Sequence, residues 1–132
     1  MSGSILLDTN IIIDVLKNDE ATIKKLATYN KVYYPIIAIA ELIYGAYNAQ
    51  NTTKKFSEVE KIKTKGISLY VDDATTYEYG KIKSKLKQNG TPIPENDIWI
   101  AAIALQHQLP VFTNDKHFEK VENLEIISLI KN

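Results

Sequence analysis

Short β-rich apolar runs alternate with helix-patterned stretches along this chain, and few folds accommodate that rhythm. Residues 5–7, 32–34, 67–71, 110–113 and 124–129 read as strands, the second stopped by Pro35. Helices are predicted over 9–18, 19–27, 37–47, 52–65, 72–89 and 97–106, with a helical turn at 114–119. Ile39, Leu42, Ile43 and Ala46 fall at helical spacing, as do Thr75, Tyr79, Ile82 and Leu86. Asn89-Gly90 is a usual helix stop. Strands joined through helices run parallel, and a parallel sheet needs both faces covered. The expected class is α/β: a three-layer α/β/α sandwich around a central parallel β-sheet, one domain over residues 1–132.

With 45% hydrophobic and 24% charged residues the composition is that of a globular domain. No cysteine is present, which excludes disulfides and thiolate metal sites. The apolar run at 98–105 is far too short to span a bilayer, and no signal peptide pattern precedes the first strand. Residues 1–4 read as an appendage or a disordered leader. A cytoplasmic protein with no membrane partner is expected. Sixteen basic residues balance sixteen acidic ones, and every basic residue is lysine. Phosphate contacts would therefore be made by point-like ammonium groups rather than by bidentate forks.

Four acids stand out by position. Asp8 ends the first strand, Glu41 lies inside the helix after the second, and Asp115 follows the strand at Val111. In an open parallel sheet these strand ends share one edge, where ligands bind at the reversal of strand order. Asp97 opens the apolar helix, whose positive end could face the same edge. Carboxylates brought together there raise each other's pKa, and a divalent cation removes the conflict. An oxygen-only donor set favours magnesium or manganese, and phosphodiester hydrolysis is the reaction that best uses it.

Each acid has a plainer explanation when taken singly. Asp8 and Asp97 could cap helices, and Asp115 could cap the turn after it. Glu41 resists such dismissal, because it interrupts the run Ile36 to Ile43, where an unpaired charge is costly. His107 and His117 read as surface or packing residues rather than general bases. Lys81, Lys83, Lys85 and Lys87 split into two pairs flanking a buried stripe, a solvated rim rather than a nucleic-acid stripe. Tyr44, Tyr47, Tyr77 and Tyr79 could stack bases but suit core or interface positions better. Trp99 reads as packing, Asp14 as a helix-surface residue, and Glu95 as a bystander near the acids.

Four segments carry a family resemblance. Leu6-Leu7-Asp8-Thr9-Asn10, Ala40-Glu41-Leu42-Ile43-Tyr44-Gly45, Asn96-Asp97-Ile98-Trp99-Ile100-Ala101-Ala102 and Thr113-Asn114-Asp115-Lys116-His117-Phe118 resemble, in order, the motifs of PIN-domain nucleases. The likeness is greatest to the VapC-type toxins of toxin–antitoxin pairs and covers nearly the whole chain. It implies a PIN-like α/β/α fold and an endoribonuclease dependent on Mg2+, with Mn2+ able to substitute. It also implies a homodimer inhibited by a small VapB-type antitoxin. By position, Asp8, Glu41, Asp97 and Asp115 become the catalytic, metal-holding acids, with Thr113 as a supporting hydroxyl and Asn10 beside the site. Ile93-Pro94-Glu95 departs from the family pattern, in which isoleucine is often followed by glycine. Proline stiffens that approach to Asp97.

Two competing readings remain at this stage. One is a catalytically silent PIN-like module that sequesters RNA or a protein partner. The other is a phosphoacceptor signalling domain built on Asp72-Asp73 after the strand at 67–71, in which the helices of Glu41 and Asp97 have no role.

Overall fold

The computed structural model describes residues 2–129. Among these residues the chain runs β1 (Ser2–Leu7), α1 (Thr9–Leu16), α2 (Glu20–Leu26), β2 (Tyr29–Pro35), α3 (Ile36–Tyr47) and α4 (Thr52–Lys63). It continues through β3 (Ile67–Leu69), α5 (Asp73–Asn89), α6 (Glu95–His107), β4 (Val111–Phe112), a 3-10 turn (Lys116–Lys120) and β5 (Ile126–Ile127). All neighbouring strands are parallel, in the order β3-β2-β1-β4-β5. The three-layer α/β/α sandwich expected from the sequence is the observed architecture.

The two-residue period of the strands sorts their side chains between the layers. Leu6 and Val111 join one cluster with Ile82 and Leu86 of α5 and with Ile98 and Ile100 to Ala104 of α6. Their neighbours Ile5, Leu7 and Phe112 face the opposite cluster, with Ile11 and Ile12 of α1, Ala38, Ile39 and Leu42 of α3, and Val59 and Ile62 of α4. The central strand β1 is covered on both sides: Ile5, Leu6 and Leu7 are at most 1% exposed. A strand buried on both faces must be apolar throughout, which is why it reads as a run and not as an alternation.

Local chemistry sets the element ends. Asp72 accepts from the backbone N–H of Thr75, whose hydroxyl takes the N–H of Asp72, a capping box at the start of α5. Gly90, at φ 67°, ends that helix in the left-handed conformation. Gly66 is required by close approach: a Cβ there would lie 2.7 Å from the Val32 carbonyl oxygen and 2.8 Å from the Tyr34 ring. Tyr34 is buried, and its hydroxyl donates to the Ile62 carbonyl at 2.9 Å.

Several boundaries differ from expectation. Residues 2–4, read as an appendage, form the first half of β1, where Ser2 and Ser4 pair with Tyr29 and Lys31; Met1 lies outside the described residues. β2 correspondingly starts three residues early, because backbone pairing carries Asn30 and Lys31 although their side chains are exposed. α6 starts at Glu95 with Pro94 before it, so Asp97 sits in its first turn and is not its cap. β3 stops at Leu69, and exposed Tyr70 and Val71 lead into the Asp72 cap.

Candidate active site

The chain passes from β1 outward through β2 to β3, then returns to the other side of β1 for β4 and β5. The direction of winding thus reverses between β1 and β4, the position at which open parallel sheets bind ligands. Leu6 pairs with Val111 and Leu7 with Phe112. One step further along this register brings Asp8 beside Thr113. The Asp8 backbone N–H donates to the Phe112 carbonyl at 3.0 Å, which holds the two chain exits together.

Asp8 is both a helix cap and a cleft residue. Its Oδ1 accepts from the backbone N–H of Thr9 at 2.7 Å at the start of α1. Its Oδ2 accepts from the Thr113 hydroxyl, also at 2.7 Å. The residue is only 4% exposed, and burial pushes its carboxyl up to about 6. Hydrogen bonds from Thr113 and Thr9 oppose that rise, while the charges of Asp97 and Asp115 add to it.

Glu41, in the middle of α3, turns toward this edge and accepts from the Thr9 hydroxyl at 2.8 Å. Asp97 comes from the first turn of α6. Burial raises its pKa; the His117 hydrogen bond opposes this, and the charges of Asp115 and Glu41 contribute to the rise. Asp115 caps the 3-10 turn by accepting from the His117 backbone N–H at 2.9 Å, while its own N–H donates to the Thr113 hydroxyl at 2.9 Å. The four acids, with Thr9, Asn10, Pro94, Glu95, Asn96 and His117, line one open cleft of about 470 Å³. Residues spread from 8 to 115 thus converge, as the strand-end argument requires. Asn10 is exposed on the cleft wall, and Thr113 is buried beneath it.

Two residues at this edge had been passed over. Thr9, which no sequence signal singles out, links Asp8 to Glu41. His117 was set aside as packing or surface, but its Nδ1 lies 3.1 Å from Asp97 Oδ2 and 3.1 Å from Asp115 Oδ1. The available signal was its place two residues after Asp115, where a tight turn returns its side chain to the cap. His107, by contrast, is exposed at the far end of α6.

The remaining residues sort by contact. Glu95 borders the cleft, but its carboxylate accepts from the Tyr79 hydroxyl and from Lys83 Nζ at 3.1 Å. Those two bonds, Tyr79 first, hold its pKa below the usual value. Trp99 stacks on Tyr79 with ring centroids 4.0 Å apart, a packing role. Lys81, Lys83 and Lys85 pair with Glu78, Glu95 and Glu122 around buried Ile82 and Leu86, as a solvated rim would. Tyr44, Tyr47 and Tyr77 are on the surface of the chain and not in its core. Asp72 bonds to Thr75 and Gln106 beyond an edge strand, away from the winding reversal, so the phosphoacceptor arrangement is absent among the described residues.

Among the described residues no lysine pairs with any of the four acids, and His117 is the one basic side chain beside them. One donor atom each from Asp97, Asp115 and His117 lies within 4.8 Å of the others, close enough to share an ion. The donor chemistry therefore fits a hard or borderline divalent cation.

Comparison with known proteins agrees with this fold. A family model described as PIN domain matches residues 5–124. Ribonuclease VapC1 of Haemophilus influenzae strain R2866 is 34% identical over 125 residues, 91% of this chain and 93% of that protein. The tRNA(fMet)-specific endonuclease VapC of Shigella flexneri is 31% identical over 122 residues, 90% of this chain and 92% of that one. The crystal structure of VapBC2 from Rickettsia felis bound to a promoter DNA fragment is similar at a TM-score of 0.89 and 25% identity. That match covers 95% of this chain and 98% of that one. VapBC-1 from nontypeable Haemophilus influenzae matches at a TM-score of 0.86 and 31% identity, over 95% and 97% of the two chains.

Proposed function

The chain belongs to the PIN domain family, alongside the VapC ribonucleases, and from that premise we propose that it is a metal-dependent endoribonuclease. It hydrolyses RNA phosphodiester bonds with Mg2+, Mn2+ being able to substitute, and serves as the toxin of a type II toxin–antitoxin pair. The observation that carries this reading is the convergence of Asp8, Glu41, Asp97 and Asp115 from four separate elements on one cleft without a lysine partner. When bound, a divalent cation lowers the pKa of a coordinated water toward about 7 and screens the phosphate oxygens.

Asp8, Asp97 and Asp115 would hold the cation, and Glu41 would either complete its shell or orient the attacking water. Thr113 aims Asp8 while Thr9 aims Glu41. The buried strand ends beneath them keep these carboxylates in place before substrate arrives, so that little reorganisation is needed in the reaction. Asn10 lies on the cleft wall, within reach of RNA entering it.

The proposed partners are an RNA substrate, a VapB-type antitoxin and a second copy of this chain. A cytoplasmic location goes with them; no described helix is long and apolar enough to cross a membrane. The test is cleavage of structured RNA by the wild type and Asp8→Asn in Mg2+, in Mn2+ and in chelator. Turnover that requires the cation and falls more than about 100-fold in the variant is expected. Equal cleavage by the two proteins overturns the mechanism, and stoichiometric binding without turnover identifies a silent binding module instead.

A further inference from the structure

His117 occupies a position that packing does not explain. Its side chain is 45% exposed, so it fills no core space. Its Nδ1 points between two carboxylates, 3.1 Å from Asp97 Oδ2 and 3.1 Å from Asp115 Oδ1. One ring nitrogen carries at most one proton, so it serves two charged acceptors poorly by hydrogen bonding alone. Asp115 Oδ1 moreover already accepts the His117 backbone N–H at 2.9 Å.

The same spacing suits a shared cation. Ligands about 2.1 Å from a six-coordinate ion sit about 3 Å apart when adjacent. The nitrogen's distance to each oxygen agrees with that edge length, and all three donors lie within 4.8 Å. The turn that lets Asp115 accept the His117 N–H also brings the imidazole back beside it, so one local structure presents an oxygen and a nitrogen together.

We propose that His117 supplies a nitrogen ligand to the divalent cation held by Asp97 and Asp115, and that this nitrogen tilts the site from Mg2+ toward first-row transition cations. The proposal rests on the metal-dependent reading above. Carboxylate and water oxygens suit Mg2+, whereas imidazole raises affinity along the series from Mn2+ to Co2+ and beyond. An all-carboxylate site would follow the same order with a shallower slope.

The experiment uses the full chain. Pulsed electron paramagnetic resonance of bound Mn2+ reads directly coordinated 14N, and calorimetry compares Co2+ with Mg2+. The wild type is expected to show 14N coupling, lost in His117→Gln. The same variant is expected to lower the Co2+/Mg2+ affinity ratio on the order of tenfold, because Co2+ binding loses more than Mg2+ binding does. Bound Mn2+ without 14N coupling, coupling that persists in the variant, or an unchanged ratio each overturns the assignment. The wild-type spectrum decides the ligand even if the variant fails to fold. RNA cleavage that is abolished by chelator while no 14N coupling is seen removes only His117. Cleavage indifferent to both chelator and Asp8→Asn removes the proposed function itself.

Discussion

The Thr113 hydroxyl donates to Asp8 Oδ2 at 2.7 Å and accepts the backbone N–H of Asp115 at 2.9 Å. One buried hydroxyl therefore ties the end of β1 to the turn after β4, across the reversal in winding. Removing it leaves a buried carboxylate oxygen and an N–H without their partner. Thr113→Val is expected to reduce RNA cleavage about 10- to 100-fold, in line with the loss of groups that orient metal ligands. It should also lower stability by about 1–3 kcal/mol. Thr113→Ser should restore most of both, and a valine variant with full activity would contradict the role.

Asp8 makes the metal-free protein sensitive to pH. Its carboxyl titrates at about 6 when folded, against 3.8 for a freely hydrated aspartate, so between those values the folded state binds more protons than the unfolded chain. Stability from this group is therefore present below about pH 4 and falls as pH rises to about 6. The gap of about two units corresponds to as much as about 3 kcal/mol. In chelator, urea unfolding of Asp8→Asn relative to wild type should show a gain that grows between pH 4 and pH 7.5. Saturating Mg2+ at pH 7.5 should shrink it, and a difference flat with pH would contradict the assignment.

Glu41 depends on Thr9. The 2.8 Å bond from the Thr9 hydroxyl is its one side-chain partner among the described residues. Thr9→Val should lower kcat for RNA cleavage on the order of tenfold, with a smaller change in KM, because orientation is lost while the carboxylate remains. A KM effect alone would place Thr9 in substrate binding instead.

Two glycines should respond to alanine with opposite signs. At Gly66 the new Cβ would meet the backbone oxygen of Val32 at 2.7 Å, and that strand cannot move aside, so a loss of about 1–3 kcal/mol is expected. Gly45 lies exposed within α3 with open space around it, so Gly45→Ala should add roughly 0.5–1 kcal/mol. Thermal unfolding of both variants checks the contrast.

The fold was legible because its signals are local. The apolar run at Ile5-Leu6-Leu7, the helical spacing of Ile39, Leu42 and Ala46, and the Asn89-Gly90 stop each report on neighbours a few residues away. Where register rather than composition decides, the reading failed: Tyr29 to Lys31 are polar enough to pass for a loop, yet pairing with Ser2 and Ser4 makes them strand. Capping and site roles also proved compatible. Asp8 and Asp115 are helix caps and cleft residues at once, because a strand end at this edge is also a helix start.

The amino-acid sequence by itself determined the layer architecture and put Asp8 and Asp115 on one edge, since strand ends in a parallel sheet fall together whatever the side-chain details. Only the tertiary structure decided which neighbours hold the four acids. Thr9 reaches a carboxylate 32 residues away, and Thr113 one that is 105 residues away. His117 faces an acid from a different helix. Such contacts depend on strand order and register, which bring distant segments together in ways no local pattern encodes.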